Sequence, residues 1–211
     1  MSIIQHADIK RMLLTQKAYV EGAFDLGLYA ARLFDDTTTL DSETGRRQAH
    51  ELLDLLTPIV KSWPSEFCLK ANELAIQILG GHGYTREYPV EQYYRDNRLN
   101  PIHEGTHGIQ SLDLLGRKLA QNGGSGLKQL IRLIAETGAR AQQYPSLTAM
   151  REPLEQLVAR LQSVTLGLLT DLAQGKVNSS LANSALYLKV FGHTVIGWRW
   201  LEQAIRAEEG L

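Results

Sequence analysis

The sequence predicts an all-α protein, an antiparallel up-down helical bundle with additional C-terminal helices. Apolar residues recur at three- and four-residue steps through most of the chain, which is the spacing of one helix face. Proline is scarce, with 6 residues among 211, and no segment shows the apolar–polar alternation of a β-strand. Long helices of this kind, joined by short connections, pack into bundles.

The first helix is predicted over about residues 8–34, and the polar run at 35–39 is expected to end it. Small residues at Gly22, Gly27 and Ala31 would let another helix approach closely. One apolar stripe defines the predicted helix: Ile9, Met12, Leu13, Val20, Ala23, Phe24, Gly27, Ala31 and Phe34.

A second helix should begin after Asp41 or Ser42, because both residues are good N-caps. Pro58 lies inside its apolar pattern and predicts a kink. Pro64 suits the first turn of a third helix, which ends at the Gly-Gly-His-Gly turn of residues 80–83. Glycine there is typical of a helix end, and it also lets the backbone approach a ligand closely because no Cβ intervenes.

Two short helices and a linker follow. Pro89 is expected to open the fourth helix, and Thr106 is a suitable N-cap for the fifth. The Gly-rich run at 122–126 is the clearest linker in the chain. We therefore expect a helical bundle at residues 1–121 and a helical extension at residues 127–211 that packs on the bundle.

Helical periodicity within the extension predicts three segments, at about residues 127–143, 151–174 and 179–208. Asn178 or Ser179 is expected to cap the last of them. Its large aromatic side chains fit either a core or an interface: Phe191, Trp198 and Trp200.

Charge and composition exclude several function classes. The formal net charge is -1, so the basic excess of a nucleic-acid-binding protein is missing. Cys68 is the single cysteine, which rules out an intramolecular disulfide and favours a reducing, cytoplasmic location. No run of about 18 apolar residues is present, so we expect no membrane partner.

The turn at residues 101–107 is the richest in chemistry. His103, Glu104 and His107 fit the zinc pattern H-E-x-x-H, which requires both histidines on one face of a continuous helix. Pro101 and Gly105 favour a loop instead, and the sequence offers only distant third ligands such as Glu136. These features weaken the zinc interpretation without removing it.

Glu104 itself allows two further interpretations. A helix start would lower the pKa of this carboxyl group, whereas burial in an apolar pocket would raise it. Such opposing effects can produce a carboxylate that takes a proton from carbon. Alternatively, Glu104 only interacts favourably with exposed N–H groups at the helix start.

Three linked blocks resemble the acyl-CoA dehydrogenase family. The first is residues 71–84, which include Gln-Ile-Leu-Gly-Gly-His-Gly-Tyr, and the second is residues 87–96, which end in Arg-Asp. The third is residues 102–110, Ile-His-Glu-Gly-Thr-His-Gly-Ile-Gln. The resemblance covers about residues 5–120, the helical C-terminal part of family members, and it outweighs the five-residue zinc pattern. Residues from about 126 onward resemble, more weakly, the extension of a longer branch.

The resemblance implies α,β-dehydrogenation of an acyl-CoA thioester with FAD as the cofactor and Glu104 as the base that removes the α-proton. It also implies a structural pair between Arg95 and Asp96. Two positions depart from the common family pattern, His103 in place of Tyr and Gly108 in place of Gln. The implied site comprises substrate contacts at Gly105, His103 and Tyr84 and FAD contacts at Gln77, Gly80, Gly81 and Thr106, with no metal.

The same resemblance implies a homodimer or homotetramer and electron-transfer flavoprotein as a further partner. Family members carry an N-terminal helical domain and a middle β domain that this chain lacks, so we expect residues 1–211 to be inactive alone. Two alternatives stay open. One is a non-enzymatic helical scaffold that assembles with itself or with a separate flavoprotein chain, and the other is a zinc hydrolase.

Overall fold

The computed structural model describes residues 2–210, and within them the chain is built from helices without a β-strand. The predicted all-α class is therefore confirmed. The α-helices are α1 (Ala7–Thr39), α2 (Glu43–Leu79), α3 (Val90–Asn97), α4 (His107–Asp113), α5 (Ser125–Ala141), α6 (Thr148–Ala173), α7 (Val177–Leu181) and α8 (Ser184–Gly210).

Helices α1 and α2 form a long antiparallel hairpin joined by a tight connection. The Ser42 hydroxyl accepts a hydrogen bond from the Gly45 N–H at 3.0 Å, which confirms the predicted N-cap. The predicted end of α1 at residue 34 is wrong, because the helix continues to Thr39. The hydroxyls of its terminal threonines donate to main-chain carbonyls one turn back, including Phe34 O at 2.6 Å, so these polar residues are accommodated inside the last turn.

Helix α2 continues through Pro58 and Pro64, so the predicted separate third helix is wrong. Each proline removes one intrahelical hydrogen bond and would break an isolated helix. Here the helix face around Pro58 is buried, with Leu56 and Ile59 at 0% exposure. Burial of that face outweighs the local preference for a break, and α2 becomes one rod of 37 residues.

The apolar stripe predicted for α1 divides into two faces. Met12 and Ala23 point into the core. Ile9 is half-buried. The other six form a second, solvent-facing apolar surface, which we call the outer face of α1: Leu13, Val20, Phe24, Gly27, Ala31 and Phe34. Phe24 is 69% exposed and Phe34 is 67% exposed.

One hydrophobic core joins the first half of the chain to the second. It includes Leu26 and Leu56 from the hairpin together with Leu130, Phe191 and Leu201 from α5 and α8. All five side chains are at most 1% exposed. Helix α8 is the central element, and it contacts α1, α2, α4, α5 and α6.

The aromatic residues of α8 belong to this core. Phe191 and Trp198 are buried, and the Trp198 indole donates to Thr137 Oγ1 at 2.8 Å. Trp200 is half-buried against α1, where a Cβ at Gly22 would lie 2.9 Å from its Nε1 atom. The close helix approach predicted at Gly22 is therefore confirmed, and the approaching helix is α8 of the same chain.

The final predicted helix is interrupted. Residues Val177–Leu181 form α7, and α8 begins only at Ser184. The predicted cap at Asn178 or Ser179 is wrong, because both residues lie inside α7 and the Ser179 hydroxyl donates back to Lys176 O. At the start of α8, Ser184 is buried and its hydroxyl lies 3.0 Å from that of Ser111.

The connection between the two halves is a short turn at Gln121–Gly124, in which Asn122, Gly123 and Gly124 have positive φ. Gly126 already lies within α5 and packs against the main chain of α2. Among residues 2–210, no helix is both long and apolar enough to cross a membrane.

Gly126→Ala should lower the free energy of unfolding by about 1–3 kcal/mol, because overpacking of this size shifts the surrounding structure. A Cβ there would lie 2.8 Å from the Glu51 carbonyl oxygen. Gly167→Ala in α6 is the matched control, since nothing lies within 4 Å of its Cβ position; that variant should gain up to about 1 kcal/mol from helix propensity. Urea unfolding measures both, and equal stability changes would contradict the close α2–α5 contact.

Candidate active site

Glu104 lies in a tight turn with an unusual backbone. Its φ is 52° and that of Gly105 is 97°, both in the left-handed region. A non-glycine residue there costs about 1 kcal/mol, and such strain concentrates at functional positions. The Gln110 side chain donates to the Glu104 carbonyl at 3.3 Å, and the Thr106 hydroxyl caps α4 by accepting from the Ile109 N–H at 3.4 Å.

The turn lacks the geometry of a zinc helix. Helix α4 begins only at His107, and Glu104 and Gly105 are left-handed, so the two histidines do not lie on one face of a continuous helix. In the part of the chain that the structure describes, no group of three or more His, Cys, Asp or Glu residues could hold a metal ion. The zinc alternative required His103 and His107 on one face of a continuous helix, and the backbone at Glu104 excludes that arrangement.

A cavity of about 370 Å³ adjoins the turn, between α2 and the segment after α3. Two of the predicted site residues, His103 and Glu104, line it. The remaining lining residues were not predicted from the sequence: Val60, Lys61, Pro64, Ser65, Cys68, Asn97 and Asn100. A signal for the α2 wall was present, since Lys61, Pro64, Ser65 and Cys68 follow the spacing of one helix face.

Pro64 contributes to the polarity of this wall. It has no N–H, so the Val60 carbonyl one turn earlier lacks its usual helical donor. Val60 and Pro64 both border the cavity. Cys68 is half-buried there, and burial raises the pKa of its thiol, which keeps the sulfur protonated at neutral pH.

Glu104 is not buried in an apolar pocket, because the side chains of His103 and Glu104 are exposed at the cavity rim. His107, the first residue of α4, is half-buried. Burial lowers the pKa of its imidazole, although the nearby Glu66 carboxylate acts in the opposite direction. The imidazole of His107 is therefore held in its neutral form near pH 7.

The Gly-rich turn after α2 is a separate surface. Gly80 ends the helix with φ 59°, and the positions of Cβ atoms at Gly80 and Gly81 are free of contacts within 4 Å. Gly83 has a structural role, because a Cβ there would lie 2.5 Å from the Ile76 carbonyl oxygen. Gln77 is exposed nearby.

Not all predicted site residues come together. Tyr84 is 87% exposed and does not line the cavity beside Glu104, so its substrate contact stays a prediction. The expected Arg95–Asp96 pair is wrong: across residues 2–210, neither side chain takes part in an ion pair. Both residues are exposed, so water competes for their charges.

Comparison with known proteins identifies this bundle. The family model described as "Acyl-CoA dehydrogenase, C-terminal domain" matches residues 1–119, more than half of the chain. This chain belongs to the acyl-CoA dehydrogenase family. A second model, "Acetyl-CoA dehydrogenase C-terminal like", matches residues 130–211, so the family assignment also includes the extension.

Two curated acyl-CoA dehydrogenases align with almost the whole chain. The 3-methylmercaptopropionyl-CoA dehydrogenase of Ruegeria pomeroyi is 34% identical over 99% of this chain. A broad-specificity linear acyl-CoA dehydrogenase of Mycobacterium tuberculosis is 33% identical over 100% of it. The chain spans 35% of the length of each relative.

The fold has a close counterpart among solved structures. Caenorhabditis elegans ACDH-11, solved in complex with C11-CoA, superposes with a TM-score of 0.73 at 21% identity. The match covers 92% of this chain and 33% of that one. This likeness establishes that the two helical folds are alike.

His107 should titrate with a midpoint below the ordinary pKa of 6.5 in an NMR pH titration. Because the folded state disfavours protonation, the contribution of His107 to stability is present above pH 6.5 and is lost as the pH falls below it. His107→Gln should remove the imidazole resonance of His107 from the titration, and it should also remove the loss of stability that protonation of His107 causes at acidic pH. A midpoint at or above 6.5 would contradict the burial of the imidazole.

Proposed function

We propose that this chain supplies the α-proton base of an FAD-dependent acyl-CoA dehydrogenase, and that the base is Glu104. The observation that carries the proposal is the left-handed Glu104 turn at the rim of a cavity, inside the segment matched by the family's C-terminal domain. A carboxylate on a strained backbone at the rim of a cavity suits proton transfer better than structural support.

In the proposed reaction, a carboxylate oxygen of Glu104 accepts the proton from the α-carbon of the thioester. The electron pair of that C–H bond becomes the π bond between the α- and β-carbons, as hydride leaves the β-carbon. FAD, when bound, supplies the hydride acceptor. Gly105 has no side chain to obstruct the acyl chain next to the base, and Gln110 holds the Glu104 carbonyl.

The chain offers residues that fit a cofactor of this kind. Gly80 and Gly81 leave their backbone open to approach, and the amide of Gln77 is exposed beside them. The Thr106 hydroxyl accepts from the Ile109 N–H, so its own hydrogen is available to a phosphate or ribose oxygen. We assign these four residues to FAD contacts.

We further propose that residues 1–211 do not turn over substrate by themselves. Glu104 and His103 are exposed to water, whereas a base that removes a proton from carbon works best where water is excluded. The proposed substrates are acyl-CoA thioesters, and electron-transfer flavoprotein is the proposed partner that reoxidises the cofactor.

One observation favours an additional role in assembly. Residues of the outer face of α1 repeat with seven-residue spacing, as in Leu13, Val20, Gly27 and Phe34, which is the pattern of a helix–helix seam. We propose that a second copy covers this face in antiparallel orientation, giving a homodimer or a homotetramer. In the antiparallel register that we propose, Phe24 packs against the small Gly27 and Lys17 lies near Asp35 of the second copy.

Glu104→Gln should lower kcat about 100- to 10,000-fold, because an amide cannot accept the α-proton. We would measure dye reduction by acyl-CoA with a chimera in which residues 1–211 replace the matching third of the Ruegeria enzyme. Flavin content should be unchanged. Glu73→Gln, an exposed carboxylate on α2, is the matched control. Turnover of the flavin-loaded Glu104→Gln chimera within threefold of the parent would assign the base elsewhere.

Phe24→Glu should weaken self-association, because it places a charge at the centre of the proposed seam. Light scattering after size exclusion reports the molar mass of the chain. Leu14→Glu is the control, since Leu14 is 66% exposed on the same helix but lies to one side of the outer face. A monomer for the unmodified chain, or equal effects of the two variants, would contradict the proposed seam.

A further inference from the structure

Resting on the role proposed for Glu104, we propose that Lys61 is a positioning residue for the base. Lys61 holds the segment that leads into the Glu104 turn, and a ladder of three asparagine amides holds the same segment at a second point. Both attachments start on α2, the rigid wall of the cavity. They act on the base through the backbone rather than by touching the reacting atoms.

The contact made by Lys61 is unusual among the half-buried and buried lysines of this chain. Its ammonium group donates to the main-chain carbonyl of Asn100, 39 residues away. Within residues 2–210, Lys61 has no carboxylate within ion-pair distance, whereas Lys70, Lys118 and Lys189 each have one. The positive charge of the Lys61 ammonium group therefore strengthens its hydrogen bond to the carbonyl of Asn100, four residues before Glu104.

The amide ladder runs from α2 to the same residue. Asn97 donates to the side-chain oxygen of Asn72 at 2.7 Å, and Asn100 donates to that of Asn97 at 2.7 Å. The Asn97 amide thus uses both its donor and its acceptor, whereas Asn72 only accepts and Asn100 only donates. Asn72 belongs to α2 and Asn97 is the last residue of α3, so the ladder fixes the end of α3 against the cavity wall.

The held segment continues directly into the base. The His103 N–H donates to the Leu99 carbonyl at 2.9 Å, and Pro101 is buried between them. On the other side, Gln110 binds the Glu104 carbonyl. Glu104 is consequently held from both directions in a backbone conformation that a free chain seldom adopts.

Loss of the upstream attachment would let the backbone at Glu104 relax toward ordinary φ values. The carboxylate would then point away from the cavity rim for part of the time. A displacement of about 1 Å in a catalytic group can reduce a rate by about 100-fold. Since Lys61 transfers no proton in this scheme, its removal should lower kcat while Glu104 still acts as the base.

The first test uses residues 1–211 and does not depend on catalysis. In Lys61→Met, amide hydrogen exchange of residues 98–106 should become about tenfold faster, while α5 and α8 keep their protection. Lys61→Arg retains a cationic donor and should restore most of that protection. Lys70→Met is the matched control, because Lys70 lies on the same helix but binds the carboxylate of Glu66. Unchanged exchange of residues 98–106 in Lys61→Met would overturn the proposal.

The second test measures acyl-CoA turnover in the flavin-loaded chimera described above. Lys61→Met should lower kcat about 100-fold with KM changed less than threefold, and Lys61→Arg should recover most of the activity. Faster exchange without loss of kcat would overturn the catalytic part of the proposal. If Lys61→Met fails to fold, Asn97→Ala tests the ladder by the same two measurements. A normal kcat in Glu104→Gln would instead refute the base, whatever the exchange data.

Discussion

Helix α2 runs unbroken from Glu43 to Leu79 through two prolines, and the site depends on that continuity. One side of this helix is buried in the core through Leu56, Ile59 and Phe67. The other side carries Lys61 and Asn72, and the cavity wall lies along it. Core packing that outweighs the local cost of a helical proline thus also fixes the position of the residues around Glu104.

The Glu104 turn has a strained backbone, and contacts on both sides hold it in that conformation. A left-handed glutamate is retained only where surrounding contacts determine the backbone. In this chain they come from α2 on one side and from α4 on the other, through Gln110 and the Thr106 cap. Such an arrangement fits a pre-organised turn. Because the backbone at Glu104 is fixed before a ligand arrives, ligand binding needs little further ordering of this segment.

Periodicity and capping rules predicted much of the fold from the sequence. The all-α class, the Ser42 and Thr106 caps and the stop at Gly80 depend on local chemistry, and local chemistry decided them. The continuity of α2 could not be predicted, because its burial also involves α8, whose Gly192 packs closely on Trp63 from far along the chain. The break before Ser184 likewise accompanies a buried contact with Ser111.

The site was predictable only in part for the same reason. The blocks around Glu104 are contiguous in sequence, so the turn could be identified and its family recognised. Lys61 and Asn100 meet across 39 residues, and no local pattern indicates that contact. The exposure of Glu104 also depends on what covers the turn in space, which the residues next to it in the sequence do not determine.

Helix α8 connects the extension to the helices on both sides of the Glu104 turn, some eighty residues earlier in the chain. It packs on α4, where Ser184 meets Ser111, and Lys189 reaches the Glu66 carboxylate at 2.6 Å on α2. Helices α2 and α4, on either side of Glu104, are therefore both held by α8. A substitution in the extension that shifts α8 would move α4 relative to α2, and the Glu104 turn with it, although the lining of the adjoining cavity contains no residue of the extension.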